Sequence, residues 1–167
     1  SLLAILNDIL DFSKLEAGKV AIETAPFSVK VLVNQVLKNQ ARAAKSKELT
    51  LTCDFEADFW QYREGDSTRI KQVLENVVSN AIKFTSEGAI TVHVFALNKD
   101  NVCIEVTDTG IGLSQEQMNR LFNRFEQADS STTRKYGGTG LGLSISKQLV
   151  DLMRGEITVT SELQKGS

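Results

Sequence analysis

Residues 65–85, GDSTRIKQVLENVVSNAIKFT, decide how this chain is read. Ile70, Val73, Leu74, Val77, Val78, Ala81, Ile82 and Phe84 recur at helical spacing and supply a broad apolar face, with Asp66 or Ser67 as the helix cap. Asn76, Asn80 and Lys83 share a second direction. At about 100° per residue, Asn80 falls roughly 40° and Lys83 roughly −20° from Asn76. The helix therefore reads as the floor of a site as well as a wall of the core.

Around it, 167 residues with 41% hydrophobic content suffice for one domain with a sizeable core. A net charge of −2, with 19 basic residues scattered rather than gathered in a stripe, argues against nucleic acid as a partner. No apolar run approaches the roughly 18 residues of a membrane span and no signal-peptide pattern is present, so no direct membrane contact is expected here. Cys53 and Cys103 lie in the strand-like runs LTLTCDF and NVCIEV without metal-ligand spacing, which predicts buried free thiols in a reducing compartment.

Upstream, residues 1–19 carry Leu2, Leu3, Ile5, Leu6, Ile9, Leu10 and Phe12 without a breaker before Gly18, predicting one long helix whose stripe wants a partner helix. A helix that starts mid-pattern is expected of a piece of something larger. Residues 20–23 read as a short strand, Pro26 as a turn, and Ser28 as the N-cap of a helix reaching about residue 46. Residues 49–55 alternate as a strand. Downstream, strands are expected over 89–97 and 102–108, joined as a hairpin through 98–101. Ser114 caps a helix to about residue 125, residues 126–139 lose all periodicity and read as a lid, residues 141–153 are helical, and 156–161 form a last strand. This order predicts an α/β two-layer sandwich: a mixed sheet covered by helices on one face, preceded by one long helix.

Two glycine clusters flank the expected lid. Asp108-Thr109-Gly110-Ile111-Gly112 leaves a strand, and Gly137-Gly138-Thr139-Gly140-Leu141-Gly142 opens a helix. Neither fits GxxxxGK[ST] or GxGxxG. Glycine lets backbone approach a ligand, and a glycine turn feeding a helix presents N–H groups to anions, so residues 138–142 are a phosphate-contact candidate. Asp108, at a strand end, is a fixed carboxylate suited to accept from an amino group such as that of adenine.

Taken together, these segments resemble the ATP-binding domain of sensor histidine kinases, within the superfamily shared with DNA gyrase, Hsp90 and MutL. LENVVSNAIKFT looks like the N box of that family, DTGIGL its first glycine box, RLFNRFEQ its phenylalanine box and GGTGLGLSISKQLV its second glycine box, in the family's order. The resemblance implies a Bergerat-type fold over residues 20–167, with residues 1–19 similar to the second helix of a dimerisation hairpin. DSSTTRKYGGTG is similar to hybrid kinases with a receiver domain downstream.

By that resemblance the cofactors are ATP and Mg²⁺, with Asn80 ligating the metal and Asn76 assisting. Lys83 approaches the phosphates, Asp108 takes the adenine amino group, and Gly110, Gly112, Gly138, Thr139, Gly140, Leu141 and Gly142 line the nucleotide and lid hinge. Phe122 and Phe125 would anchor the lid base, with a place in the core as the alternative, and Arg134 and Lys135 on the lid would reach the γ-phosphate, with a solvated charge pair as the alternative. Asn76, Asn80 and Lys83 form the catalytic set. Where hydrolysing relatives carry a glutamate, Asn76 is an amide without base strength, which favours phosphoryl transfer to a histidine over hydrolysis. Glu75 points about 100° away and cannot simply replace that base.

The only histidine, His93, lies in a strand and reads as structural, so the implied phosphoacceptor belongs to a hairpin helix before residue 1, and the implied partners are that hairpin and a receiver domain. The implied setting is the cytoplasmic domain of a membrane-bound sensor. An ATP-gated interaction module without transfer, or an ATPase, remain the alternatives. Arg154 stands where the family carries glycine, and the ending QKGS keeps half of a third glycine box without a final strand, leaving a sheet edge for a continuing chain or another partner.

Overall fold

The computed structural model describes residues 2–122 and 140–167. Helix α1 (Leu2–Glu16) leads through a loop to strand β1 (Ala25–Ser28), helix α2 (Val29–Ser46), and strands β2 (Thr50–Phe55) and β3 (Tyr62–Gly65). Helix α3 (Ser67–Phe84) follows, then strands β4 (Ala89–Ala96) and β5 (Val102–Asp108), helix α4 (Gln115–Arg120) and helix α5 (Gly142–Leu152).

The sheet is mixed. β4 is central, parallel to β2 and antiparallel to β5, with Cys53 opposite Val92 and His93 opposite Glu105. Period-two alternation sends Ile90, Val92 and Val94 to one face, each at 0% exposure, where they meet Val33 and Val36 of α2 and Leu74, Val78 and Ile82 of α3. Burying each such side chain contributes about 1.5–3 kcal/mol, so this layer is the main stabilising core. The opposite face is polar, with Thr52 against Thr91 and His93 against Asp54. A second cluster joins Leu141, Ile145 and Leu149 around α5 to Val73 of α3 and to Phe12 and Leu15 of α1. Gln72 of α3 also donates to Asp11 of α1 at 2.7 Å. Leu3, Leu6, Ile9 and Leu10 of α1 stay about half exposed or more.

Several local expectations are corrected. Residues 20–23 form no strand: Val20 packs into the second cluster, and the Glu23 N–H is taken by Asp66. Pro26 lies within β1 rather than in a turn, opposite Glu64 of β3. A two-stranded ribbon tolerates proline because one side of each strand has no ladder to supply. β3, sequence YREG, has no alternating apolar pattern and was invisible to periodicity.

Residues 156–161 alternate in exposure as a strand would but join no ladder. An isolated bridge between Glu162 and Gly166 stands beyond them, and Ser167 exchanges both backbone hydrogen bonds with Asp108. Side-chain alternation sets the faces of a segment, whereas a strand needs a neighbour to pair with. α4 is capped by Ser114 as expected, and Gln117 completes a capping box, but the helix ends at Arg120, short of residue 125; Phe125 and the 126–139 stretch lie outside the described residues.

Candidate functional site

The site is built on α3. Asp66 caps it: one carboxylate oxygen accepts from Arg69 N–H at 3.0 Å and the other from Glu23 N–H at 3.1 Å, which fixes both the helix start and the incoming chain. Ten residues on, the Asn76 amide Nδ2 donates to Ser146 Oγ of α5 at 2.9 Å. A Cβ on Gly142 would stand 2.6 Å from Asn76 Oδ1. Gly142 and Ser146, one turn apart on α5, therefore grip this amide, and glycine is what permits the approach.

Asn80 follows one turn later, half-buried, and its amide makes no hydrogen bond among the described residues. Lys83 sits in the last turn with Nζ 4.8 Å from the Phe84 ring centroid, and burial lowers its ammonium pKa. A bound phosphate would oppose that shift.

Asp108 ends β5 beside the last turn of α3. Its Oδ1 accepts from Gly110 N–H at 2.8 Å, and the Ile111 N–H reaches the Phe84 carbonyl at 3.3 Å, so the 108–112 turn is fastened to α3. Burial raises the Asp108 pKa, opposed by the backbone N–H groups of Gly110 and Ser167. Gly112 adopts φ +63°, and a Cβ there would meet the Glu162 carbonyl at 2.0 Å. Side chains are excluded at this corner by the molecule's own backbone.

Of the remaining sequence candidates, Gly140 stands just before Leu141, the N-cap of α5, and Leu141 is 2% exposed in the second cluster, where its carbonyl accepts from Ser144 Oγ and Ile145 N–H. Arg134, Lys135, Gly138 and Thr139 lie outside the described residues. Phe122 is half-buried. Glu75 is turned toward α2, accepting from Asn39 at 3.1 Å and facing Lys71. His93 contacts Asp54 and stacks on Phe95 on the polar face of the sheet, as its strand position predicted.

Cys53 and Cys103 are free and partly buried. Burial and the neighbouring Asp54 and Glu105 carboxylates, respectively, raise their pKa values. Among the described residues no group of three or more His, Cys, Asp or Glu could hold a metal, and no helix is long and apolar enough to cross a membrane. A groove of about 680 Å³ runs between α2 and β2, lined by Leu37, Lys38 and Leu51, and includes none of these site residues. Sequence reasoning missed Ser146, although its spacing of four from Gly142 places it on the same helical face.

Residues 65–167 match the family described as histidine kinase-, DNA gyrase B-, and HSP90-like ATPase. The chain belongs to this ATPase family. It is 45% identical over its whole length to the signal transduction histidine-protein kinase BarA of Escherichia coli K12. It is 47% identical, again over its whole length, to the sensor histidine kinase GacS of Pseudomonas protegens. The chain spans 19% of each of these relatives. Its fold superposes on full-length ShkA, crystallised in complex with AMPPNP, with a TM-score of 0.88 and 31% identity, covering 99% of this chain and 34% of that one. BarA and GacS are both named histidine kinases, and the mixed sheet under helices is the Bergerat-type arrangement expected from the sequence.

Proposed function

We propose that this ATPase-family domain binds Mg-ATP between α3 and the start of α5 and transfers the γ-phosphoryl group to a histidine on a dimerisation hairpin, for relay to a receiver aspartate. The observation that carries the reading is the α3 face. Asn76, Asn80 and Lys83 stand along it, with Asp108 at one end and Gly142 and Ser146 opposite Asn76. Amides, a partly buried ammonium and a half-buried carboxylate suit a nucleotide whose transfer depends on positioning and charge neutralisation.

The donor set also fits magnesium. With no acidic cluster among the described residues, the Asn80 amide oxygen would hold the ion together with phosphate oxygens and waters, as a hard cation accepts. Bound Mg²⁺ would supply charge neutralisation on the phosphates. Asn76 holds no base, Glu75 is directed at Asn39, and a water-activating carboxylate is therefore lacking on this face, which favours transfer over hydrolysis. Asp108 would receive the adenine amino group, and Gly110, Gly112, Gly138, Thr139, Gly140, Leu141, Arg134 and Lys135 complete the proposed nucleotide contacts.

The exposed leucine stripe of α1 supports assigning residues 1–19 to the second hairpin helix and 20–167 to the catalytic domain. The whole protein would then be a membrane-bound sensor with this domain in the cytoplasm. Calorimetric titration with Mg-ATP tests binding. Asn80→Ala is expected to abolish the Mg²⁺-dependent part of the affinity, and unchanged affinity counts against the metal assignment. Mixed with labelled ATP and a separately supplied hairpin from a sensor kinase, the chain is expected to label the hairpin histidine slowly. Label released only as inorganic phosphate would instead identify an ATPase.

A further inference from the structure

Lys47 lies outside every motif singled out in the sequence, yet its ammonium is committed to the end of the site helix. Its Nζ donates to the carbonyls of Ile82 at 2.7 Å, Lys83 at 2.8 Å and Thr85 at 3.1 Å. A helix ends with carbonyls that have no intrahelical partner and with a partial negative charge. In α3, Ala81 is served by the Thr85 N–H, Phe84 by Ile111, and the others by this one side chain. Lysine has three donors and a compact charge, which matches three converging carbonyls better than any other residue type.

The lysine itself is held rigidly. It is the C-cap of α2, followed by Glu48 at φ +58° and Leu49 at 6% exposure, and the Leu49 N–H returns to the Ala44 carbonyl at 3.0 Å, closing a Schellman turn. Lys47 therefore leaves α2 from a fixed backbone and binds the peptide units that carry Lys83 and, through Phe84, the 108–112 turn.

We propose that Lys47 is a positioning residue of the nucleotide site, holding the last turn of α3 so that Lys83 meets the phosphates. This deepens the Mg-ATP reading and rests on it. The test is a double-mutant cycle on the 167-residue chain, with ATP affinity measured for the unaltered protein, Lys47→Met, Lys83→Met and the double variant. Lys47→Met is expected to weaken ATP binding on the order of tenfold when Lys83 is present and hardly at all when it is absent. Equal losses in both backgrounds, or no loss in either, overturn the proposal, since a purely structural lysine would act independently of Lys83.

If Lys47→Met does not fold, Lys47→Arg replaces it, because its planar fork keeps the charge but fits three converging carbonyls poorly; the same non-additive pattern is expected with a smaller loss. NMR of the Lys47 ammonium without nucleotide reads the cap separately. Slow proton exchange relative to the exposed Lys99 supports the cap, and equally fast exchange removes the basis of the proposal. Failure of the unaltered chain to bind ATP, with the cap still detected, would overturn the nucleotide reading and the coupling to Lys83.

Discussion

Asp108 shows how burial shapes the carboxylate proposed to receive adenine. Its folded pKa is raised, chiefly by desolvation, so folding favours its protonated form. That contribution is fully present below the unfolded carboxylate pKa and is lost as pH rises through the folded value. At neutral pH the charged carboxylate is a net cost. Asp108→Asn keeps an oxygen for the Gly110 N–H and removes the charge. It is expected to raise Tm at pH 7, by about 2–4 °C for each kcal/mol recovered, with the gain vanishing in acid, while ATP affinity falls about tenfold or more. Thermal scans across pH, paired with nucleotide titration, check both halves. The place of Asn76 on α3 was legible from spacing alone, but its hold by Ser146 and Gly142 was not, because helical period locates a side chain on its own helix and says nothing of the element opposite.

At the scale of elements, helix ends separate what the sequence declares from what it conceals. Ser28, Asp66 and Ser114 were recognisable caps because N-cap chemistry resides in one side chain and a local backbone. The end of α5 was readable only as an anomaly. Arg154 takes φ +58° and donates its N–H to Asp151, and Gly155 donates to Val150, a Schellman ending in which arginine occupies the left-handed position. Arg154→Gly is expected to stabilise the fold by about 0.5–1 kcal/mol, relief of left-handed strain being partly offset by glycine's unfolded-state entropy. Urea unfolding midpoints measure it. β3 and the 156–161 segment failed for the opposite reason: pairing is a property of two segments, and neither YREG nor residues 156–161 carries its partner's address.

For the whole molecule, the layered architecture was legible because β4, α2 and α3 each wear their period openly, and all three meet in one core. The same arrangement orders stability across the chain. Val92 and Val94 are wholly buried on a strand bonded on both sides, whereas α1 rests on one small cluster and keeps a leucine stripe in solvent. Native-state hydrogen exchange is expected to find the β4 amides slowest, close to the global unfolding limit, and those of α1 faster than those of α2, α3 and α5. Comparable protection of α1 in the monomer would contradict this order. The seat of α1 has a mechanical meaning. Asp11 is bonded to α3 while Phe12 and Leu15 lie on α5, so one rod keys into the helix that carries Asn76 and into the helix that grips it. Advancing that rod by one helical turn, about 5.4 Å, would exchange its neighbours on both walls at once, converting an axial stroke outside the domain into a change of gap width inside it.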